Sequence, residues 1–282
     1  MKIKVYKYQG AGNDFVIIDN RKINLSLSND QIKLLCDRRF GVGGDGLMLL
    51  GKSDNYDFSM RYFNADGGEG TMCGNGGRCL VAFAAHLGIK KFRFEAIDGP
   101  HLANMLEFGP EKCIVELGMI DVKEVTDYSP KSYFLNTGSP HLVIFVEKLQ
   151  DYDVLDQGKL WRHHPHFPGG TNVNFVQANW GRLSTPGIVE LSVRTYERGV
   201  ENETLACGTG VTASAIAFHK IVRINNTIQG KMNTPYPELV STRVQTLGGL
   251  LEVKFKYTGK DNYSDIKLTG PATFVFSCEI DV

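Results

Sequence analysis

The sequence lacks both a net charge and a long apolar run. Lys plus Arg and Asp plus Glu each number 31 among 282 residues, so the chain has no overall field to attract nucleic acid or an anionic membrane. No stretch approaches the roughly 18 apolar residues of a membrane-spanning helix, and the first residues show no signal-peptide pattern. We therefore expect a cytoplasmic protein with neither nucleic-acid nor membrane partners.

Cysteines are few and are not arranged for a disulfide framework or a metal site. The six are scattered through the chain, at Cys36, Cys73, Cys79, Cys113, Cys207 and Cys278. No two form a C-x-x-C pair, so we expect reduced thiols and no structural zinc. A proline interrupts the cluster of His163, His164 and His166, which argues against a metal site there as well.

One pattern occurs twice in the chain. Residues 69–76 and 203–210 both read E-x-x-x-C-G-x-G, and each leads directly into an apolar helical pattern. The cysteines of the two copies, Cys73 and Cys207, therefore occupy matching places in the two halves. A site with a thiol from each half can remove a proton from one face of a carbon and return a proton to the other.

Two further landmarks recur in the same order. Residues 10–18 resemble residues 136–144, and residues 40–45 resemble residues 167–172, at nearly the same offset as the cysteines. Three ordered matches favour two similar domains, and a period this long excludes a solenoid.

Apolar periodicity predicts short strands and two helices in each half. Ser28 and Gln31 have the spacing of a capping box, which indicates the start of a first helix. Longer helices are predicted at residues 75–87 and 209–222, each just after a C-G-x-G motif. Because the strands are linked by short turns, we expect mixed, mostly antiparallel sheets.

The last segment sets the domain boundaries. Its alternating apolar residues predict a strand that follows the second repeat and has no partner of its own. We expect this strand to return to the first domain. The predicted domains are residues 1–120 plus 265–282, and residues 121–264.

Each motif cysteine lies just before a helix start, where backbone N–H groups and the helix dipole favour a thiolate and a bound carboxylate. A helix terminus contributes about 0.3–2 kcal/mol, which lowers a thiol pKa by at most about one and a half units. Further help is therefore expected, from His141 and Glu197. A Cys73–Cys207 disulfide would be an inactive state, and we expect the other four cysteines to be core residues.

The motif residues resemble those of a known family. Residues 63–79 and 196–210 are similar to the two signatures of the diaminopimelate epimerases, and residues 10–15, 41–46, 139–141, 171–175 and 269–272 also match. The resemblance implies a cofactor-independent enzyme that interconverts LL- and meso-diaminopimelate for lysine and peptidoglycan precursor synthesis. It also implies a homodimer of α/β (α+β) chains. Each chain would have two similar domains related by pseudo-two-fold symmetry, each a sheet around a central helix, with the active site in the cleft between them.

The same resemblance assigns roles to individual residues. It implies that Cys73 and Cys207 are the acid/base pair, one as thiolate and the other as thiol. Residues at the helix starts would hold the reacting carboxylate: Gly74, Asn75, Gly208 and Thr209. Residues outside the helices would bind the distal amino-acid end of the substrate: Asn13, Asn64, Asn172 and Arg198. Glu197 would take an ammonium group, and Glu197 and His141 would each modulate the pKa of a thiol.

The sequence departs from the family pattern at three places. Ser139 stands where many members have Asn, Gly46 stands where some have Gln, and Gly169-Gly170 gives a looser turn before Asn172 than a charged pair would.

Other functions remain as alternatives. A proline or hydroxyproline racemase would carry His in place of Asn75 and Ser-Pro just before Cys207. Phenazine-type isomerases of this fold generally lack the cysteine pair. A thiol–disulfide enzyme or an inactive binding module is a further alternative.

Overall fold

The computed structural model describes residues 1–179, 189–228 and 239–282. Its internal contacts divide the chain into two compact units. Unit 1 comprises Met1–Gly118 and Thr269–Val282, and unit 2 comprises Met119–Leu268.

Unit 1 is a sheet that closes on itself. Its elements are β1 (Lys2–Gly10), β2 (Asn13–Asp19), α1 (Asn29–Cys36), β3 (Gly46–Gly51), β4 (Phe58–Asn64), β5 (Glu69–Gly70), α2 (Gly74–His86), β6 (Arg93–Ala96), β7 (Gly99–Phe108) and β8 (Lys112–Gly118). Strands β1, β2, β3, β4, β6, β7 and β8 pair in that order. The last strand of the chain, β17 (Asn262–Asp281), pairs with both β8 and β1, so eight strands form a ring.

Helix α2 lies inside this ring. Its residues Gly74 to Ala84 are all buried, and the helix contacts β1, β2, β3, β7 and β8. The apolar residues that give this helix its periodicity in the sequence, such as Leu80 and Val81, form only one side of the buried surface. Cys79, Ala82 and Phe83 are buried as well, as expected for a helix surrounded by protein.

The elements of unit 2 are β9 (Thr126–Ser129), β10 (Ser132–Asn136), β11 (Pro140–Phe145), α3 (Val154–Arg162), β12 (Asn172–Ala178), β13 (Val189–Glu197), β14 (Asn202–Thr204), α4 (Gly208–Ile228), β15 (Leu239–Thr246) and β16 (Gly249–Gly259). From β10 to β16, unit 2 repeats the order of elements from β1 to β7, after one additional strand, β9. Strands β9, β10, β11, β12, β13, β15 and β16 pair in that order, and α4 packs against six of them.

Strand directions also agree between the units. In unit 1 only β2/β3 and β4/β6 are parallel, and in unit 2 the parallel pairs are β11/β12 and β13/β15. The remaining pairs within each unit's series are antiparallel. The prediction of an α/β chain with two similar domains, each built on a mostly antiparallel sheet, is confirmed.

Local predictions hold with one difference in length. Ser28 and Gln31 form the predicted capping box at the start of α1. Helix α4 extends to Ile228, six residues beyond its predicted end. The first residue of this extension, Arg223, pairs with Asp261, which also pairs with Lys220 in the preceding turn. Because these contacts are polar, apolar periodicity did not reveal them.

Candidate active site

Both motif cysteines lie at the start of a long buried helix. Cys73 is the N-cap residue of α2, with φ −89° and ψ 128°, and the first helical bond runs from the Gly77 N–H to the Cys73 carbonyl at 2.7 Å. Cys207 directly precedes α4, and its carbonyl accepts from the Val211 N–H at 2.8 Å. The first-turn N–H groups of a helix have no carbonyl partner within it, so each thiol is placed beside several backbone donors.

The glutamate of each motif is held by an arginine on the neighbouring strand. Glu69 accepts from Nε and Nη2 of Arg61 at 2.8 and 3.0 Å, and Glu203 accepts from the same two atoms of Arg194 at 2.6 and 2.8 Å. These fork-shaped pairs fix the short strand that leads to each cysteine. The repeated glutamates are visible in the sequence, but the pattern alone does not indicate their role.

The last glycine of each motif allows the helix to lie against a sheet. A Cβ on Gly210 would lie 2.2 Å from Oδ1 of Asn174, which is closer than real Cβ contacts. A Cβ on Gly76 would meet Sδ of Met48 at 3.2 Å. The approach is therefore tighter in unit 2, against the amide of a buried asparagine.

In unit 1 the structure brings together two of the three predicted substrate-binding asparagines. Nδ2 of Asn75 donates to Oδ1 of Asn13 at 2.6 Å. Asn64 is exposed at the end of β4, where it is paired with Gly46 of β3. A Cβ on Gly46 would lie 2.5 Å from the ring of Tyr62 and 2.6 Å from the Phe63 carbonyl oxygen, so this position has no room for a side chain.

In unit 2 four polar residues meet at the start of α4. Nε2 of His141 lies 2.9 Å from the hydroxyl oxygens of both Ser139 and Thr209. Asn172 donates from Nδ2 to the Ser139 hydroxyl at 3.1 Å and to the Pro140 carbonyl at 2.9 Å. The Thr209 hydroxyl lies 3.4 Å from Sγ of Cys207, so it connects this cluster to the thiol. Nothing in the sequence indicates that the hydroxyls of Ser139 and Thr209 contact His141.

The tautomer of His141 follows from its partners. Nδ2 of Asn174 donates to the Leu142 carbonyl, which can only accept, and the same nitrogen lies 3.1 Å from Nδ1 of His141. Nδ1 is therefore an acceptor, and Nε2 carries the proton. Burial lowers the pKa of His141 to about 3, with a contribution from the charge of Arg198, so the ring is neutral near pH 7.

Glu197 and Arg198 lie where β13 ends. Glu197 accepts from the Thr204 hydroxyl at 2.9 Å, and the Arg198 backbone N–H donates to Oδ1 of Asn172 at 2.9 Å. Arg198 is exposed, and its guanidinium donates to the Gly169 carbonyl at 3.3 Å. No carboxylate within residues 1–179, 189–228 and 239–282 pairs with this guanidinium, which suits it to an incoming carboxylate.

Of the other four cysteines, Cys36, Cys79 and Cys113 are buried core residues, whereas Cys278 is partly buried. Burial raises the pKa of Cys36 to about 11, and it also raises the pKa values of Cys79 and Cys113. A buried thiol of this kind is a poor nucleophile or base near pH 7. No disulfide joins any of the six cysteines, all of which lie among the described residues.

The histidine cluster does not converge on one point. His163 lies beside Glu201 at 3.4 Å, while His164 and His166 contact the rings of Trp161 and Tyr128. Among the described residues, no group of three His, Cys, Asp or Glu side chains is arranged to hold a metal ion. Likewise, none of the described helices has the length and apolar character needed to span a membrane.

Comparison with known proteins identifies the family. The sequence model of the diaminopimelate epimerase family matches residues 5–122 and 133–275, and each matched segment contains one motif cysteine. The chain belongs to the diaminopimelate epimerase family. The predictions of this family and of an isomerase are confirmed.

Curated relatives in this family match along nearly their whole length. The diaminopimelate epimerase of Flavobacterium psychrophilum is 46% identical over 282 residues, which cover 99% of this chain and 100% of the relative. The diaminopimelate epimerase of Chlorobaculum tepidum is 41% identical, over 95% of this chain and 97% of the relative.

Solved structures show the same fold at low identity. A phenazine biosynthesis protein of the PhzF family from Bacillus anthracis has a TM-score of 0.69 at 14% identity, with both chains fully covered. A probable proline racemase from Agrobacterium radiobacter has a TM-score of 0.62 at 14% identity, covering 99% of this chain and 93% of the other. At this identity the likeness establishes the fold alone.

Proposed function

We propose that this protein is a cofactor-independent epimerase that interconverts LL- and meso-2,6-diaminopimelate through a thiol/thiolate pair. The observation that carries the proposal is the equivalent placement of Cys73 and Cys207, each at the start of a buried helix in its own unit. Membership of the diaminopimelate epimerase family supplies the substrate. The reaction would serve the synthesis of lysine and of peptidoglycan precursors.

The first requirement of the reaction is to make the α-proton acidic. A carboxylate on the reacting carbon must accept negative charge as the proton leaves, and donors already in place at that point stabilise the charge. The helix starts at Gly74-Asn75 and Gly208-Thr209 supply such donors. Neither helix has an acidic residue in its first turn, so nothing there opposes a bound anion.

The second requirement is a proton acceptor and a proton donor on opposite faces of that carbon. The thiolate takes the α-proton and becomes a thiol, while the thiol on the other face gives its proton to the same carbon and becomes a thiolate. One turnover therefore inverts the carbon and exchanges the protonation states of Cys73 and Cys207. The reverse reaction uses the cysteines in the opposite roles, and no external oxidant, reductant or cofactor takes part.

The thiol of Cys207 has a defined source of help. His141 is neutral and donates from Nε2, so the Thr209 hydroxyl can accept from the ring and donate to Sγ of Cys207. A hydrogen bond to the charged form lowers a thiol pKa. His141 thus modulates the thiol pKa through Thr209, as a fixed donor. We also propose that Glu197 modulates a thiol pKa, as an acceptor and a negative charge, and its carboxylate suits a substrate ammonium group.

The remaining residues recognise the distal amino-acid end of the substrate. Arg198 has the planar fork that pairs with a carboxylate, and Asn13, Asn64 and Asn172 offer amide groups. Asn172 already holds Ser139, Pro140 and the Arg198 backbone, so part of its role is to shape the pocket around Arg198.

We further propose that the enzyme is cytoplasmic and that it is a homodimer, as the family resemblance implies. Light scattering of the purified protein tests the dimer directly. A monomer at micromolar concentration would contradict this part of the proposal without affecting the chemistry.

The reaction itself is tested by isotope exchange. Incubation of LL-diaminopimelate in deuterated water should give the meso isomer with deuterium at the inverted carbon, and Cys73→Ala and Cys207→Ala should each abolish this while keeping the circular dichroism spectrum. Turnover of proline instead would favour the racemase alternative. Full activity in either alanine variant would exclude the two-thiol mechanism.

A further inference from the structure

A continuous series of side chains links a buried arginine to a loop carboxylate in unit 1. Arg78 has no exposed surface, and its Nη2 donates to Oδ1 of Asn75 at 2.8 Å. Nδ2 of Asn75 donates to Oδ1 of Asn13 at 2.6 Å, and Nδ2 of Asn13 donates to Oδ2 of Asp45 at 3.1 Å. We call these four residues the asparagine relay.

The ends of the relay are chemically opposite. A guanidinium has only donors, so Arg78 requires the carbonyl oxygen of Asn75 to face it. Asp45 is ion-paired with Arg38 at 2.7 Å and offers only acceptors, so it requires the amide nitrogen of Asn13. Both requirements are met when Asn75 donates from Nδ2 to Oδ1 of Asn13, as it does in the structure. The two charges therefore determine which way each amide points, a choice that an amide pair alone leaves open.

Each end of the relay is itself anchored. Arg78 also donates from Nη1 to the Gly74 carbonyl at 3.2 Å, within the first turn of α2. At the other end, Arg38 bridges Asp45 and Asp14, and the buried Lys7 contacts Asp14 at 2.7 Å. The start of strand β2, at Asn13, is thereby fixed to the helix start that follows Cys73.

The equivalent positions in unit 2 lack these charges. Ser139 stands where unit 1 has Asn13, Thr209 where it has Asn75, and Asn172 where it has Asp45. Ser139 contacts both Thr209, at 3.4 Å, and Asn172, at 3.1 Å. Thr212, which stands where unit 1 has Arg78, donates to the Gly208 carbonyl, as Arg78 does to that of Gly74. The contacts are shared, but only unit 1 has an arginine and a carboxylate at the two ends.

We propose that Arg78 and Asp45 are positioning residues that act through Asn75 and Asn13 by fixing the orientation of both amides at the Cys73 helix start. The inference rests on the proposed function, in which Asn13 and Asn75 contact the substrate. Neither Arg78 nor Asp45 need touch the substrate. Their loss should therefore weaken substrate binding, through misdirected amides, more than it slows the chemical step.

The test is a double-mutant cycle of Asn13→Ala and Asp45→Asn in the full-length enzyme. An amide at position 45 must turn its NH2 group either toward Arg38 or toward Asn13, so one acceptor is lost. We expect Asp45→Asn to raise KM for LL-diaminopimelate about tenfold, the size of one charge-assisted hydrogen bond, with kcat changed less than about threefold. In the Asn13→Ala background the same change should raise KM no further. Additive effects on KM would overturn the proposal.

Asp19→Asn is the matched control. Asp19 also accepts from an arginine and a backbone N–H in unit 1, but it contacts no asparagine of the relay. We expect its KM to equal that of the wild type. If Asp19→Asn raises KM as much as Asp45→Asn does, the loss of any arginine-paired carboxylate in unit 1 is enough to weaken substrate binding. That result would also overturn the proposal.

The arginine end is tested by two substitutions. Arg78→Lys keeps a donor-only group and should keep KM within about threefold, whereas Arg78→Gln can present either end to Asn75 and should raise KM about tenfold. If Arg78→Gln does not fold, the Asp45 cycle still decides the question. An inactive wild-type enzyme would refute the proposed function alone. In that case the same cycle, measured by urea unfolding, would still test the coupling of Asn13 to Asp45, and additivity would overturn the relay.

Discussion

Nε2 of His141 lies 2.9 Å from the hydroxyl oxygen of Thr209. The ring nitrogen carries the proton, because Asn174 donates to Nδ1 and burial keeps the imidazole neutral. The Thr209 hydroxyl can therefore accept from His141 and direct its own hydrogen toward Sγ of Cys207, 3.4 Å away. In the proposed mechanism, the neutral histidine would support the Cys207 thiolate by orienting this hydroxyl, without taking a proton from it.

Replacement of Thr209 tests this arrangement. Thr209→Val removes the hydroxyl at nearly constant volume, so the Cys207 thiolate loses a hydrogen bond and its pKa rises. We expect kcat/KM to fall about ten- to hundredfold, with the rising limb of its pH profile shifted to higher pH. Thr209→Ser keeps the hydroxyl and should remain within about threefold of the wild type. If the valine and serine variants have the same pH profile, the hydroxyl does not support the thiolate.

The buried imidazole also predicts how stability depends on pH. The pKa of His141 is about 3 in the folded protein, against about 6.5 when unfolded, so between these values only the unfolded chain binds the proton. Stability contributed by His141 is therefore present above pH 6.5 and is lost as pH falls through this window, by up to about 1.4 kcal/mol per pH unit.

The measurement is urea unfolding of the wild type and His141→Gln at pH 7.5, 6 and 5. The variant should be less sensitive to acid than the wild type over this range. His219, whose pKa burial lowers to about 4, contributes a similar slope to both proteins and cancels from the comparison. Equal slopes would mean that His141 is not held neutral.

The parts of the site that the sequence predicted are those encoded by local motifs. The start of α2 at Cys73 and the capping box at Ser28 depend on residues a few positions apart, so pattern alone finds them. Closure of the unit 1 ring depends on β17 pairing with β8 and β1. Nothing in the spacing of a strand pattern indicates which distant strand will be its partner.

Polar partners were the hardest to foresee. Glu69 was visible as a repeated residue, yet its partner Arg61 lies eight positions away across a hairpin. Arg78 did leave a signal, because it is the only Lys or Arg in the otherwise apolar helical segment after Cys73. A charge on a helix that is buried on all sides must find hydrogen-bond partners inside the protein. For Arg78, one of these partners is Asn75.

The two arginine–glutamate pairs offer a comparison within one molecule. The Arg61 and Glu69 side chains are 52% and 31% exposed, whereas those of Arg194 and Glu203 are 21% and 16% exposed. Arg194 also donates from Nη1 to the Leu149 carbonyl at 3.1 Å. Removal of Arg194 therefore leaves a sheltered carboxylate without its donor, while the Leu149 carbonyl keeps the bond from the Tyr152 N–H.

We expect Arg194→Met to lower the free energy of unfolding by about 3 kcal/mol and Arg61→Met to lower it by less than about 1 kcal/mol. Urea unfolding of both variants at pH 7 gives the two values, and each variant is the control for the other. Similar losses would show that exposure does not distinguish the two pairs.

The last glycine of each motif gives a second comparison between the units. Alanine is a better helix former than glycine by about 1 kcal/mol, so either glycine-to-alanine change would stabilise its helix in open space. At Gly210 the added Cβ would lie 2.2 Å from Oδ1 of Asn174, which also accepts from the Thr195 hydroxyl. At Gly76 it would meet the flexible thioether of Met48 at 3.2 Å.

Overpacking against a fixed, hydrogen-bonded amide costs about 1–3 kcal/mol, which exceeds the helix-propensity gain, while a methionine can adjust. We therefore expect Gly210→Ala to be destabilised by about 1–2 kcal/mol in urea unfolding and Gly76→Ala to be within about 0.5 kcal/mol of the wild type. Because Asn174 also holds Nδ1 of His141, Gly210→Ala should lose activity through a displaced ring. A stable, fully active Gly210→Ala would mean that the amide can move aside, and that the position of His141 does not depend on Asn174.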